Sequence, residues 1–452
     1  MAAIIPIRVL TCFCCILSFL LLLLHCNSLS QDGVILLKIK REDWRDTRNA
    51  LSDWNESHQN PCAWTGISCD TFNSVTVVDL TGASISGNLT SAICALSNLT
   101  ALILQRNAFT APFPIGLLHC KRLHKLDLSS NHFAGTLPTR ISELSELRIL
   151  NLAYNSFSGS IPPAFGMLSK LEALIFHNNS FTGEFPNFVG DLKSLKNLTF
   201  DNNPLRPGVL HSELGNLKQL QQLCLQNCSL LGRIPTFLGN LTQLEELDLS
   251  RNHLSGEIPT SLMALSNLRS LFLYDNNLSG RIPANIGQLR SIESLDFSDN
   301  QLHGTIPDGL SNLTYLNSLH LFSNSLTGEI PAGLGKLRYL SYLKLFDNKL
   351  SGWLPQSLGT FSTLIFVDVG KNELEGPLPK NLCRGGALYS FHGSSNKFSG
   401  NLPLSFVDCN SLHYLYINNN QLSGEIPPGL WSSPNLLRLY LNHNKFAGKI
   451  SC

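Results

Sequence analysis

Charge of one sign is missing from this 452-residue chain: 33 Lys and Arg stand against 32 Asp and Glu, and only 14% of residues are charged. So even a balance creates no overall field to gather nucleic acid or an anionic membrane. No basic cluster interleaved with aromatics supplies one locally, which excludes nucleic acid as a partner. Past Leu24 no apolar run reaches the roughly 20 residues that span a bilayer. There is no P-loop, no Gly-x-Ser-x-Gly, no His-Glu-x-x-His and no kinase catalytic-loop signature. The sequence therefore carries no catalytic constellation, no resident cofactor and no metal site, and the reading is that of a non-enzyme.

The N-terminus has the form of an address. Arg8 is the only charge before Asp32, and Val9–Leu24 is an apolar run. Ser28 and Ser30 are small residues at −3 and −1 of a cleavage point before Gln31. A run this short suits a secretory signal over residues 1–30 better than an uncleaved anchor. The mature chain is then extracellular, in the secretory pathway or on the plasma-membrane surface.

From Val75 onward one frame, L-x-x-L-x-L-x-x-N, opens sixteen times, last at Leu436. Each step is 24 residues except Leu195 to Leu220, which is one longer. A unit this short cannot bury its own leucines and must stack on its neighbours, which defines a leucine-rich-repeat solenoid over 75–452. In each unit L-x-L is a short parallel strand, its leucines inward and its x positions outward on the concave face. The closing Asn turns the chain inward to satisfy backbone groups of the next coil. Residues 31–74 do not repeat and form a cap over the first coil's leucines. The sixteenth unit stops at Cys452 in mid-repeat, and the expectation is a fragment or truncated product.

Cysteines and sequons agree with an oxidising compartment. Cys94 to Cys120 and Cys383 to Cys409 share one separation, two positions longer than a repeat. Neighbouring coils lie about 5 Å apart, within reach of a disulfide, so both pairs read as inter-coil staples. Cys62 and Cys69 pair within the cap, around Trp64. Cys224, Cys228 and Cys452 are left over. Cys228 sits where neighbouring units hold the ladder Asn, which favours a buried thiol over a C-x-x-x-C metal pair. Nine glycosylation sequons occur, at Asn55, Asn88, Asn98, Asn178, Asn197, Asn227, Asn240, Asn277 and Asn312.

After each ladder Asn comes L-x-G-x-I-P, as in Leu254–Pro259, Leu278–Pro283, Leu326–Pro331 and Leu422–Pro427. This block is similar to that of the plant-specific leucine-rich-repeat class. The resemblance implies an α/β-type superhelix with a second short strand and 3₁₀ or helical turns on the convex side. The cap, the segment Leu214–Pro235, the longer repeat before it and the NLCRGGALYSF stretch around Cys383 resemble the ectodomains of HAESA-type receptor kinases. That likeness implies a small secreted peptide as ligand, a shorter leucine-rich-repeat co-receptor as partner, and a Ser/Thr kinase outside these residues. Members of that group hold the peptide carboxylate with an Arg-x-Arg on a late strand. Here Tyr414 and Tyr416 take those places, and tyrosine offers no charged fork. An alternative reading is a secreted inhibitor or decoy, similar to polygalacturonase inhibitors.

The outward positions change character along the chain. Early units offer small or polar groups: Lys125, Asp127 and Ser129, then Asn197, Thr199 and Asp201. Glu246 and Asp248 read as solvated surface charge. From the ninth unit aromatics gather in a candidate ligand groove: Phe272, Tyr274, His320, Phe322, Tyr342, Lys344, Phe346, Phe366, Tyr414, Tyr416, Arg438 and Tyr440. Aromatics give contact area and the polar groups fix register.

Overall fold

The structure, a computed structural model, describes residues 29–448. The signal-like run before Leu29 and the terminal Cys452 lie outside them. The chain divides into two compact units, residues 1–171 and 172–452.

In the first unit the α-helix Gln31–Glu42 opens the cap, with the Ser30 hydroxyl accepting from the Gly33 N–H. Ser30 also donates its own N–H to the Gln59 carbonyl at 2.8 Å. Cleavage before Gln31 would thus remove the residue that caps this helix, worth about 1 kcal/mol in typical cases. Three tryptophans fill the cap. Trp54 and Trp64 stack at 5.5 Å, and Trp44 stands 6.2 Å from Trp54 and 6.2 Å, edge-on, from Phe109. Phe109 begins an internal spine: it stacks on Phe133 at 6.0 Å, and Phe133 on Phe157 at 6.0 Å, all three fully buried. Strands Val75–Asp79, Ala101–Ile103, Lys125–Asp127 and Ile149–Asn151 form a parallel ladder with a register shift of one repeat.

The second unit continues the same plan by itself. Its ladder runs from Ala173–Ile175 to Arg438–Tyr440, every consecutive pair parallel. A second sheet, from Leu231–Arg233 to Lys445–Ala447, is built by the L-x-G-x segments. Gly256, at φ +78°, shows why that column is glycine: a side chain there would be strained and would press on Arg233. The longer repeat makes only the bridge Gly208↔Leu230 in this sheet. Pro204 and Pro207 withhold the N–H groups that a strand would donate there. The turns between the two sheets are 3₁₀, such as Thr236–Asn240 and Thr260–Ala264, and not α-helical. The second short strand and the 3₁₀ turns expected of the repeats are both present.

The asparagine ladder works as expected. Asn252 donates from Nδ2 to the carbonyls of Leu225, Leu249 and Ser250 at 2.9–3.0 Å, while its Oδ1 accepts from Leu230 N–H at 2.9 Å. Its Oδ1 also accepts from Cys228 N–H at 3.0 Å, so one side chain pairs buried backbone groups of two coils. Cys228 stands in for that amide, its thiol directed at the carbonyls of Phe200 (3.3 Å) and Gln226 (3.5 Å). Cys224 and Cys228 are both buried free thiols, and burial pushes both thiols far above their ordinary range. Among the described residues no group of three metal-ligating side chains forms. The residue before each ladder Asn adopts a left-handed conformation, including Tyr154 (φ 53°) and Arg251 (φ 53°). Asn or Asp holds that position in several repeats, such as Asn178, Asp275 and Asp299, residue types that tolerate the left-handed region, while Tyr154 and Arg251 are held there by the inward turn of the Asn.

Disulfides join Cys62–Cys69, Cys94–Cys120 and Cys383–Cys409, with Cα separations of 5.5, 4.7 and 5.8 Å. Among the described residues no helix is long and apolar enough to cross a membrane.

Candidate functional site

In the second unit the in-register parallel strands arrange their outward residues into columns that cross the repeats. One column reads Glu246, Ser270, Ser294, Ser318, Tyr342, Phe366, Ser390, Tyr414, Arg438. The next reads Asp248, Phe272, Asp296, His320, Lys344, Asp368, His392, Tyr416, Tyr440. Tyr274, Phe322, Phe346 and Gly370 belong to a third column, two residues further along each strand. All twelve residues named from sequence lie on these columns, and none is buried.

The structure brings them into contact. Phe322 and Phe346 stack face to face at 4.5 Å, with an 8° angle between their planes. The Lys344 ammonium sits 5.1 Å from the Phe366 ring centre, a cation–π geometry. Tyr416 packs on Tyr440 at 4.8 Å and on Tyr414 at 6.2 Å. The Tyr416 hydroxyl beside the Arg438 guanidinium holds Arg438 above its ordinary value. Phe272 and Tyr274 line a hollow of about 300 Å³ with Asp248, Asp296 and His320. Tyr274 is held from two sides, by a hydrogen bond from Gln226 and by Arg251 over its ring.

Sequence reasoning picked out His320 but missed the polar groups that hold it and their second copy around His392. His320 Nδ1 lies 3.1 Å from Asp296 Oδ2, and its Nε2 lies 3.1 Å from Ser318 Oγ. Three repeats later His392 repeats the arrangement with Asp368 (3.1 Å) and Ser390 (2.9 Å). The order Ser–His–Asp invites comparison with a hydrolase, but in the second group Ser390 is fully buried and cannot meet a substrate, while Ser318 in the first is half-buried. These pairs instead fix the two imidazoles between the aromatic rungs. Reading every outward position, and not only the aromatic ones, reveals them in the sequence. Gly370 leaves its column empty, and a hollow of about 410 Å³ opens there between Phe346, Asp368, His392, Tyr416 and Tyr440.

Nearer the start of this unit the face is acidic and less open. Burial pushes the Asp201 carboxyl up to about 6, with the Asp248 and Glu246 charges adding to the rise. Burial also raises Asp248. The expectation that Glu246 and Asp248 are simply solvated is corrected to this extent, since both are half-buried. Thr199 is likewise buried, at 7% exposure, as are Asp127 (7%) and Ser129 (1%) in the first unit. Asp127 commits its carboxylate to Ser129 and Asn151. These outward positions are shielded by their neighbours and offer a ligand little.

The sequons differ in setting. Asn88, Asn227, Asn240, Asn277 and Asn312 are exposed, while Asn55, Asn98, Asn178 and Asn197 are half-buried. Asn98 already donates to Asp70 and accepts from Arg122.

A solenoid with two ladders, a tryptophan-filled cap and an aromatic concave face defines a leucine-rich-repeat recognition protein. Family models for a leucine-rich repeat N-terminal domain match residues 29–70, for leucine-rich repeats 122–144 and 146–168, and for a leucine-rich repeat region 223–445. The receptor-like protein kinase HSL1 of Arabidopsis thaliana is 43% identical over 97 residues, 21% of this chain and 10% of that protein. This chain thus matches about a tenth of the length of that relative. The crystal structure of the Arabidopsis receptor kinase HAESA ectodomain, in complex with an N-terminally extended IDA peptide hormone, superposes with a TM-score of 0.91 at 38% identity. The match covers 94% of this chain and 71% of that one. A TDR receptor structure matches with a TM-score of 0.79 at 39% identity, covering 81% and 64%. The chain belongs to the leucine-rich-repeat ectodomains of plant receptor kinases, in the HAESA-like group.

Proposed function

We propose that this chain is the ligand-recognition region of a plant cell-surface receptor kinase, and that it binds a small secreted peptide across the strands from Ser270–Phe272 to Arg438–Tyr440. The observation that carries the reading is the run of aromatic and Asp–His groups along eight consecutive parallel strands. An extended peptide can lie across such rungs, its side chains entering the hollows at Phe272 and Gly370. Solved structures similar to this chain support it: HAESA is seen with the IDA peptide and the co-receptor SERK1, and RGFR1 with RGF2. A shorter leucine-rich-repeat co-receptor is accordingly proposed as second partner.

Peptide anchoring differs from the Arg-x-Arg mode. Tyr414 and Tyr416 present neutral hydroxyls, with Arg438 as their neighbouring cation. A terminal carboxylate therefore contributes less here than at a bidentate fork.

The test is calorimetric titration of the secreted chain with synthetic IDA and RGF2 peptides, each as free acid and C-terminal amide. The expected result is binding of at least one peptide, little changed by amidation. It should weaken at least about tenfold when Phe322 and Phe346 are both replaced by Ala, the size expected of a central aromatic anchor. Binding of neither peptide, or binding undiminished in the double variant, overturns the reading.

A further inference from the structure

Away from the concave face, the second sheet carries one large exposed aromatic in place of the small or charged residues that usually fill its column. In successive repeats that column reads Arg233, Glu257, Arg281, Thr305, Glu329, Trp353, Pro377, Asn401 and Glu425. Trp353 is 55% exposed. It ends the strand Lys349–Trp353 and pairs in register with Glu375. Its indole lies face-on against Gly376. A Cβ built there would stand 2.6–2.8 Å from Nε1, Cε2 and Cδ1 together, which places it over the ring. One face of the indole is thus seated on backbone and the opposite face is presented outward.

Around that face opens a hollow of about 730 Å³, lined by Trp353, Asp308, Glu329, Glu375, Gln356 and neighbouring backbone and proline. Its lining contains no Lys, Arg or His. None of its three carboxylates is ion-paired among the described residues. Gln356 is held by donating Nε2 to the carbonyls of Leu354 (2.9 Å) and Pro377 (3.1 Å), which turns its amide oxygen into a fixed acceptor. A flat apolar platform is therefore ringed by acceptor side chains.

The matching ligand has an apolar ring face and many hydroxyl donors at its edge. We infer that this hollow binds a neutral oligosaccharide, one sugar ring stacked on Trp353 and its hydroxyls donating to Glu329, Glu375 and Asp308. Three reasons select that class. Hydroxyl-to-carboxylate bonds are charge-assisted and strong. An acidic sugar would meet three like charges and be repelled. A single cationic side chain would satisfy the charges but leave most of the space empty, and the hollow is as large as a typical small-ligand site.

The experiment is titration of the secreted full chain with cellotetraose and mannotetraose, followed by calorimetry and tryptophan fluorescence. Trigalacturonate serves as the acidic control and tetra-arginine as the cationic comparator. One neutral sugar is expected to bind saturably, with trigalacturonate inert. Trp353→Ala, which folds normally because the side chain is exposed, weakens binding roughly tenfold or more through the lost stacking surface. Glu329→Gln with Glu375→Gln keeps acceptors in place but replaces two charge-assisted hydrogen bonds by neutral ones, and weakens neutral-sugar binding about tenfold or more. Failure of both neutral sugars to bind at about 10 mM, or binding that Trp353→Ala leaves intact, overturns the inference. So does preferential, Glu-dependent binding of tetra-arginine, which would make the hollow a cationic-peptide site.

Discussion

Two sets of phenylalanines that recur at the repeat period have opposite fates. Phe109, Phe133 and Phe157 stack at 6.0 Å inside the first unit, each at 0% exposure. Phe322 and Phe346 stack at 4.5 Å on the concave face of the second unit, half-exposed. Residue type and spacing are the same; only the position within the repeat differs. The first set follows the ladder Asn by two residues and points into the core. The second precedes it by two and points outward. The repeat period therefore fixes that side chains meet, and the phase within the period fixes whether the contact holds the fold or faces a ligand.

The largest effect tests that phase directly. Phe133→Ala should cost about 3–5 kcal/mol, the range for truncating a fully buried Phe, read as a lowered denaturant midpoint. Phe346→Ala should cost under about 1 kcal/mol by the same readout, in line with exposed positions, while the loss appears in peptide binding. Equal stability losses at both sites would erase the distinction.

The ladder sharpens it at the next scale. Asn276 donates to Leu249 and Leu273 carbonyls and accepts from Leu254 N–H. Asn276→Ala should cost about 2–3 kcal/mol by stranding buried backbone groups. Cys228→Asn should stay within about 1 kcal/mol of the natural chain, because it restores the ladder amide to a position already built for it. A large loss at Cys228→Asn would show that the neighbouring coils had adapted to the thiol.

Asp201 tests how closed the early concave face is. Its folded value is about 6 against 3.8 unfolded. The folded chain thus holds the proton more tightly, so stability rises as pH falls from about 6 toward 3.8, and the ionised carboxylate is a burden above 6. Asp201→Asn should flatten that part of the pH profile and add on the order of 1–3 kcal/mol at pH 7, the free-energy equivalent of that rise. Its Oδ1 still accepts from Gln226 N–H, as in the natural chain. A pH profile unchanged by the substitution would mean that the carboxylate is open to water, like the later strands.

The smallest effect concerns surface chemistry. Peptide mapping of the secreted glycoprotein should find Asn240, Asn277 and Asn312 occupied, and Asn98 and Asn197 largely bare. The first three are exposed, whereas Asn98 is engaged by Asp70 and Arg122 and Asn197 lies on a concave strand followed by buried Thr199.

Much of the fold is legible in the residues. The frame from Val75, the ladder Asn and the non-repeating cap each follow from burying leucine while pairing every backbone group, and the two equal cysteine separations follow from the spacing of adjacent coils. Cys228 as a ladder substitute is legible for the same reason. The candidate groove is legible only by column. Alternation shows that Phe272 or Tyr416 faces outward, but not that Gln226 reaches Tyr274 two coils away. The Asp–His–Ser groups are less visible, because they recur only once, three repeats apart, and become legible only when every outward position is read. Nor does alternation show that Asp127, Ser129 and Thr199, though outward, are sealed by their neighbours.

The sequence by itself determined the solenoid, since so short a unit has no stable form except stacked on its like. It also determined which residues turn inward, because the side-chain alternation of a strand leaves no choice. Only the tertiary structure decided which outward groups touch and which hollows open. Those contacts join residues 24 or 48 positions apart, as in Asp296 with His320 and Gln226 with Tyr274. They depend on ladder register and on side-chain packing across coils, which no local pattern encodes. The hollow beside Trp353 is of the same kind: the indole is visible in the chain, but its seat on Gly376 exists only once the coils are stacked.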